Sequence, residues 1–334
     1  MPFAAPAVRL GLSSSEVITR LLEGDFESLD TFFAEIQSRF GREPARVEHE
    51  MELAVRAFRG DQPTLESALL AWKRARPDSA FAHLAYARYT WGEASRARGT
   101  KYANHTPRAN FEAMRTEIAT ARDEARLALE RDPALIEAYA ILMSVATMAS
   151  ADELGPYRQG LRVFPASYRL RAERLQALRP RWGGSRRAMV EEAERAQSER
   201  ESNPRLVVLL GFVHWDTSVS LREAGESEAA LAEADRALAF GEEFSFHQAR
   251  GDALQKLRRN QEAVDAFDRS LYLLPDNPTV LAERGWSRAV VGDLSGAERD
   301  LALLRSLEPD SPRIASVEKA ITTARARRSP KPAR

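Results

Sequence analysis

The sequence predicts an all-α protein, folded as a right-handed α-solenoid of about seven to eight antiparallel helix pairs. Apolar residues such as Leu135, Tyr139 and Leu142 follow the spacing of three and four residues that places them on one face of a helix. No stretch shows the sustained alternation of a strand. Small residues and prolines also recur at an interval of 34 positions. Gly251, Ala263 and Pro275 are followed 34 positions later by Gly285, Ala297 and Pro309.

The N-terminal region, residues 1–60, predicts a helical hairpin that caps the stack. Ser13 to Ser15 precede a run with helical spacing, Gly24 and Asp25 form a turn, and a second helix spans 26–40. The first residues lack a basic stretch followed by an apolar run, so we expect no secretory signal and a cytoplasmic location. Nowhere do 18 apolar residues run together, so we expect no membrane insertion.

The central region, residues 61–204, predicts divergent helix pairs with two irregular intervals between the prolines that end helices. The interval from Pro77 to Pro133 exceeds one repeat by 22 residues, and the surplus lies near 91–110. The interval from Pro165 to Pro204 carries a basic and aromatic turn at 179–187, in which Ser185 is expected to cap a helix. Long connections inside a compact array are uncommon and are often functional, so both irregular segments are candidate sites.

The region 205–311 predicts the most regular pairs, and the repeats are clearest at 244–311. Gly251 should let the first helix of a pair, helix A, approach the second, helix B, while Ala263 lies at their closest crossing. Pro275 should end helix B before the next repeat begins. A final capping helix and a loose basic tail are expected at 312–334.

The spacing of these residues resembles the tetratricopeptide repeat. Its eighth, twentieth and thirty-second positions are typically a glycine, an alanine and a proline, and Phe267 fills its aromatic position 24. The copies diverge in helix A, where His247 and Leu281 replace a tryptophan and Arg288 replaces a tyrosine. The resemblance implies a stack of helix pairs and a role in binding other proteins.

The tract from about Trp72 to Gln197 is similar to an uncharacterised bacterial family, domain-of-unknown-function family 4034. Recurring marks of that family are a segment like Trp91 to Tyr102 and a turn like Arg181-Trp182-Gly183-Gly184-Ser185. The resemblance implies that both segments matter to the architecture, and it confers no catalytic residues.

The two irregular segments combine cations with aromatic rings and form the first candidate binding site. Guanidinium groups bind carboxylate or phosphate through paired hydrogen bonds, so a pocket for an anion is expected if the segments fold together. Its candidate residues are Trp91, Arg96, Arg98, Lys101, Tyr102, His105, Arg181, Trp182, Arg186 and Arg187. A structural alternative is favoured, in which the tryptophans fill an enlarged helix pair and the arginines pair with Glu93, Glu112 or Glu173.

Composition excludes several other kinds of site. Lysine plus arginine and aspartate plus glutamate both total 49, so the formal charge is zero and nucleic acid is not an expected partner. The absence of cysteine excludes thiolate metal sites and cysteine nucleophiles. His49 and His83 stand 34 residues apart, which is the spacing of successive repeats rather than of metal ligands. We therefore expect neither a metal nor a cofactor.

The expected function is that of an interaction scaffold or adaptor. A peptide or helix from an unidentified partner protein would lie in a groove lined by A helices. The candidate groove residues are His247, Arg250, Leu254, Leu281, Arg284 and Arg288. The alternative is a small anionic ligand or substrate at the Trp91–His105 insertion and the Arg181–Arg187 turn, and self-association is a third option. Enzymatic activity stays open, although binding is favoured over chemistry.

Overall fold

The chain is all-α and is built from helix pairs, as the sequence predicts. The computed structural model describes residues 10–59, 63–99 and 107–328, and these ranges contain seventeen α-helices and no β-strand. The chain divides into two compact units, one within residues 8–209 and one within residues 210–334.

The first unit, hereafter the N-terminal unit, contains ten α-helices: α1 (Ser14–Glu23), α2 (Phe26–Gln37), α3 (Pro44–Val55), α4 (Pro63–Ala75), α5 (Ala80–Arg98), α6 (Arg108–Arg131), α7 (Ile136–Met148), α8 (Leu154–Val163), α9 (Tyr168–Ala177) and α10 (Arg186–Ala196). The unit also contains short 3-10 turns at Arg56–Phe58, Pro180–Trp182 and Gln197–Glu199. A longer 3-10 helix, Pro204–Gly211, begins in this unit and ends in the second one.

The second unit, hereafter the C-terminal unit, contains α11 (Phe212–Glu223), α12 (Ser227–Leu238), α13 (Phe244–Lys256), α14 (Asn260–Leu273), α15 (Pro278–Val291), α16 (Leu294–Leu307) and α17 (Arg313–Arg328). Each odd-numbered helix up to α15 packs on the even-numbered helix that follows it, so α11, α13 and α15 are the A helices of three successive pairs. The last helix, α17, packs against α15 and α16 and thereby covers the final pair.

The first two helices begin where the sequence places their caps. The Ser13 hydroxyl accepts a hydrogen bond from the amide of Glu16, and the Glu16 carboxylate accepts one from the amide of Ser13 at 2.8 Å, which completes a capping box. Gly24 ends α1 in the left-handed conformation, with φ of 77°. Asp25 then caps α2 by accepting from the amide of Ser28. Ser13 therefore caps α1 within the serine run that the sequence indicates.

Helix α3 lies across several of the helices that follow it rather than beside only the first pair. It contacts α5, α7 and α9. Its buried Glu48 accepts hydrogen bonds from the Ser167 hydroxyl at 2.6 Å and from the Tyr168 amide at 2.9 Å, at the start of α9. In the N-terminal unit, part of the surface formed by α5, α7 and α9 is thus covered by the chain's own third helix.

The surplus residues after Pro77 lengthen two helices. Helix α5 has 19 residues and α6 has 24, compared with 13 and 14 in the regular pair of α13 and α14. Trp91 to Arg98 therefore belong to the last turns of α5. The positions 100–106, which include three predicted site residues, lie outside the described residues.

The glycine and alanine positions of the C-terminal repeats are set by packing. A Cβ atom on Gly251 would lie 2.5 Å from the ring of Phe267, so only glycine lets α13 approach α14 this closely. Ala263 is fully buried at the same interface. In the next pair the corresponding Gly285 is less crowded, because its nearest neighbours, on Asp300 and Val317, would be 3.2 and 3.3 Å away.

Candidate binding surfaces

Polar side chains form a row along the three A helices of the C-terminal unit. Arg222 on α11 approaches Asp252 on α13, with 3.8 Å between guanidinium nitrogen and carboxylate oxygen. One turn further along α13, the Gln255 amide donates to the Ser287 hydroxyl of α15 at 3.2 Å. It also lies 3.4 Å from the backbone carbonyl of Glu283. We call Arg222, Asp252, Gln255, Glu283 and Ser287 the A-helix row.

The row carries one carboxyl group whose charge is only weakly stabilised. Burial and the nearby Glu283 together raise the pKa of Asp252 to about 7, although Arg222 and Lys256 act in the opposite direction. The 3.8 Å separation from Arg222 is too long for a strong ion pair. A cationic or hydrogen-bond-donating group placed beside Asp252 would therefore stabilise its charged form.

The two predicted apolar groove residues face the interior. Leu254 and Leu281 are 0% and 1% exposed and belong to the core cluster that also contains Phe267. His247 is largely buried too, and burial lowers its pKa to about 4. Glu242 opposes this change in pKa, and its carboxylate oxygen lies 3.5 Å from the Nε2 atom of His247. These three side chains support the helix pairs from within.

The three predicted groove arginines are held by aspartates of the B helices. Arg250 donates to Asp235 of α12 at 2.8 Å. Arg284 and Arg288 both contact Asp300 of α16 and Asp268 of α14, at distances between 2.6 and 3.2 Å. Asp268 and Asp300 belong to different helix pairs, so Arg284 and Arg288 join neighbouring pairs. Asp300 itself is 3% exposed. Sequence reasoning missed the A-helix row because repeat positions alone do not tell which way each polar side chain points.

Part of the predicted anion site does come together in the N-terminal unit. The guanidinium of Arg98, at the end of α5, lies 5.2 Å from the ring centre of Trp182, and that of Arg181 lies 5.5 Å from the same ring. Burial lowers the pKa of Arg98, and the positive charge of Arg181 lowers it further. Trp182 stays 37% exposed, so one of its edges is accessible.

Backbone geometry explains why the Trp182 turn contains two glycines. Gly183 has a φ of 88°, in the left-handed region that favours glycine. A Cβ on Gly184 would lie 2.0 Å from the carbonyl oxygen of Leu178. The turn leads into α10, where the Ser185 hydroxyl accepts from the amide of Ala188 at 3.2 Å, as the sequence predicts.

Arg96, Arg187 and Trp91, three other candidates of the anion site, contact residues other than Trp182. Arg96 forms an ion pair with Glu93 on the same helix, and Arg187 pairs with Glu191 at 2.8 Å. Arg186 begins α10, and Trp91 packs under the guanidinium of Arg88 at 4.4 Å. Lys101, Tyr102 and His105 lie outside the described residues. Pairing of Arg96 with Glu93 agrees with the structural alternative for that residue.

Histidines in the described ranges each lie beside a glutamate. His83 is 2.6 Å from Glu124, and His214 is 2.8 Å from Glu233. Within 10–59, 63–99 and 107–328 no group of three or more histidine, aspartate or glutamate side chains is arranged to hold a metal ion. No α-helix in those ranges combines the length and apolar character needed to cross a bilayer.

A cleft of about 630 Å³ lies beside α6, α7 and α8. Its lining includes the apolar residues Leu142 and Val145 of α7, with Arg122 and Arg126 of α6 at its polar side. Both arginines are exposed, and each lies within 3.9 Å of Asp123. The cleft is therefore lined by apolar side chains on α7 and by solvent-exposed charged side chains on α6.

Comparison with known proteins finds similarity to solved structures alone. No family model matches this sequence, and no curated protein does. The resemblance of the central tract to family 4034 is therefore without support from this comparison. The chain is similar to YrrB, a TPR protein with an unusual peptide-binding site, at 16% identity and a TM-score of 0.29, over 75% of this chain and 98% of that one.

Two further solved structures are similar to this chain at comparable levels. The P58(IPK) TPR domain is 12% identical with a TM-score of 0.31, over 94% of this chain and 98% of the domain. A chain of the APC/C hetero-tetramer Cut9–Hcn1 is 13% identical with a TM-score of 0.38, over 93% of this chain. In that case the match spans about half of the other chain, 54%.

Proposed function

We propose that this chain is an interaction scaffold, whose A-helix row binds a peptide or helix from a partner protein. The observation that carries the proposal is the contact of polar side chains across α11, α13 and α15, which joins three successive helix pairs into one surface. Stacked helix pairs commonly use the surface formed by equivalent helices to hold an extended ligand.

The chemistry of the row suits a segment with both charged and uncharged polar groups. The carboxylates of Asp252 and Glu283 would accept hydrogen bonds from a lysine or arginine of the partner, which would also relieve the poor solvation of Asp252. Gln255 supplies an amide that both donates and accepts, and can therefore pair with a backbone peptide group. Arg222 can bind an acidic side chain at the α11 end of the row.

The proposal is tested by pull-downs from a lysate of the source cells, in which the wild-type chain is compared with two variants of the full chain. The first is Gln255→Ala combined with Glu283→Ala, which removes row side chains that are partly exposed. The control is Gln261→Ala combined with Asp265→Ala, on exposed positions of the B helix α14. A partner retained by the wild type and the control but lost from the row variant supports the proposal. If every captured protein binds all three chains equally, the row is not the binding surface.

Small-anion binding is the second candidate function, and the convergence of Arg98, Arg181 and Trp182 favours it. Two guanidinium groups near one exposed indole ring could hold a carboxylate or phosphate group against an aromatic face. A thermal-shift screen with nucleotides, phosphorylated metabolites and carboxylates tests this candidate. Stabilisation that disappears in Arg98→Met and Arg181→Met supports it, and stabilisation that survives both substitutions contradicts it.

A further inference from the structure

Arg88 is a buried arginine without a conventional partner. It lies in the middle of α5 and is 7% exposed. Its guanidinium carbon lies 4.4 Å from the ring centre of Trp91, one turn later on the same helix. Among the residues that the structure describes, none forms a hydrogen bond or ion pair with it. Because a guanidinium carries five N–H donors, stacking on one indole leaves its hydrogen-bonding capacity unused.

Glu137, the acidic group that acts on the charge of Arg88, is paired with another arginine. Glu137 on α7 accepts two hydrogen bonds from Arg169, at 2.8 and 3.2 Å, and Glu173 accepts a third from it at 2.8 Å. Glu52 on α3 pairs with Arg56 at 2.8 Å. Glu137 and Glu52 are thus already paired with other arginines, and neither forms an ion pair with Arg88.

The groups that do face Arg88 add positive charge. Burial lowers the pKa of Arg88 well below its ordinary value, and the neighbouring Arg59 and Arg56 lower it further, with Glu137 opposing them. The indole Nε1 of Trp91 is also buried and has no acceptor among the described residues. Within the described part of the chain, the Arg88 guanidinium and the Trp91 indole N–H are therefore two donor groups without a hydrogen-bond acceptor.

We infer that Arg88 and Trp91 form a binding site for a small oxyanion, a carboxylate or phosphate group, between α5 and the 3-10 turn Arg56–Phe58. An oxyanion has only acceptor atoms and so matches the two donor groups, and its negative charge offsets the cluster of arginines. Water could fill the hydrogen bonds, but it cannot neutralise a buried charge, which is costly to leave uncompensated. This site lies in the N-terminal unit and does not depend on the A-helix row.

The site is distinct from the one at Arg98 and Trp182, because Arg88 precedes Arg98 by almost three turns of α5. A single helix thus carries two arginines that stack on different tryptophans, Trp91 and Trp182. Substitution of one arginine at a time separates the two sites.

Thermal unfolding of the full chain in inorganic phosphate, sulfate or citrate, at constant ionic strength set with chloride, tests the inference. An oxyanion at about 100 times its Kd should raise the Tm of the wild type by about 5–10 °C. Arg88→Met should abolish this rise, and without any oxyanion it should leave the Tm unchanged or raise it, because it removes a buried unpaired charge. Arg108→Met, on a side chain that is 92% exposed, is the matched control and should respond like the wild type.

Isothermal titration with the same anions provides a readout that does not depend on Arg88→Met being well folded. Arg88→Lys keeps the charge but loses the planar fork, so it should weaken binding by at least tenfold without abolishing it. Preference for phosphate and sulfate over citrate would identify a phosphate-type ligand, and the reverse order a carboxylate. The inference is wrong if none of the anions binds the wild type, or if they bind Arg88→Lys as tightly as the wild type.

Discussion

Glu48 on α3 accepts a hydrogen bond from the Ser167 hydroxyl at 2.6 Å, although 119 residues separate the two along the chain. Ser167 in turn caps α9 by accepting from the amide of Leu170 at 3.1 Å. The carboxylate of one helix therefore completes the N-terminal cap of another. This contact ties the predicted N-terminal region to α9, which comes six α-helices after α3 in the chain.

Replacing Glu48 by alanine should destabilise the N-terminal unit. The substitution leaves the Ser167 hydroxyl and the Tyr168 amide buried without acceptors, which costs about 1–3 kcal/mol in the free energy of unfolding. Glu43→Ala, at the exposed start of α3, is the control and should cost less than about 0.5 kcal/mol. Urea unfolding followed by far-ultraviolet circular dichroism measures both. Equal stabilities of the two variants would show that the cap contact is unimportant.

Asp252 should make the C-terminal unit less stable as pH rises. Its folded-state pKa is about 7, against an ordinary value of 3.8, so between these pH values the folded state holds a proton that the unfolded state has lost. Because the folded state then binds more protons, the free energy of unfolding falls as pH rises from about 4 to about 7. Asp252→Asn should remove this slope and should be more stable than the wild type at pH 8.

The measurement for Asp252 is urea unfolding from pH 4 to pH 8. Asp265→Asn, at an exposed position of α14, should keep the slope of the wild type. If Asp252→Asn and the wild type show the same slope, other groups cause the pH dependence. One such group would be Glu48, because burial raises its pKa to about 7 as well.

Asp300 and Asp268 contact the same two arginines but should differ strongly in importance. Asp300 has a side chain that is 3% exposed, and its removal leaves Arg284 and Arg288 partly buried without their main acceptor. Asp300→Ala should therefore cost about 3–5 kcal/mol. Asp268 has a side chain that is 45% exposed, so Asp268→Ala should cost less than about 1 kcal/mol. Denaturant titrations that show similar losses for both would contradict this ranking.

Gly251 and Gly285 occupy the same repeat position but should tolerate alanine differently. At Gly251 the added Cβ would lie 2.5 Å from the Phe267 ring, which is fully buried, and overpacking of this kind costs about 1–3 kcal/mol. At Gly285 the nearest atom would be 3.2 Å away, and the better helix propensity of alanine offsets up to about 1 kcal/mol. Thermal unfolding of Gly251→Ala and Gly285→Ala should give a clearly lower Tm only for the first.

The sequence by itself determined the local architecture of this protein. Apolar spacing encodes each helix, because the three-and-four rhythm follows from the helical repeat. Ser13 and Ser185 mark helix starts, since a hydroxyl can satisfy a free amide at the first turn. The 34-residue recurrence of Gly251 as Gly285 marks the position where the two helices of a pair cross, although a Cβ atom would be more crowded at Gly251 than at Gly285.

Only the tertiary structure decided which polar residues are available for binding. Arg284 and Arg288 stand on an A helix, as predicted, but their side chains turn to aspartates of the B helices. Arg88 forms no ion pair with Glu137, because that carboxylate is bound by Arg169, from a helix more than 80 residues further along the chain. A repeat pattern specifies which helix a side chain belongs to. Whether that side chain meets an opposite charge, a core or solvent depends on helices distant in sequence, and these assemble only in the folded chain.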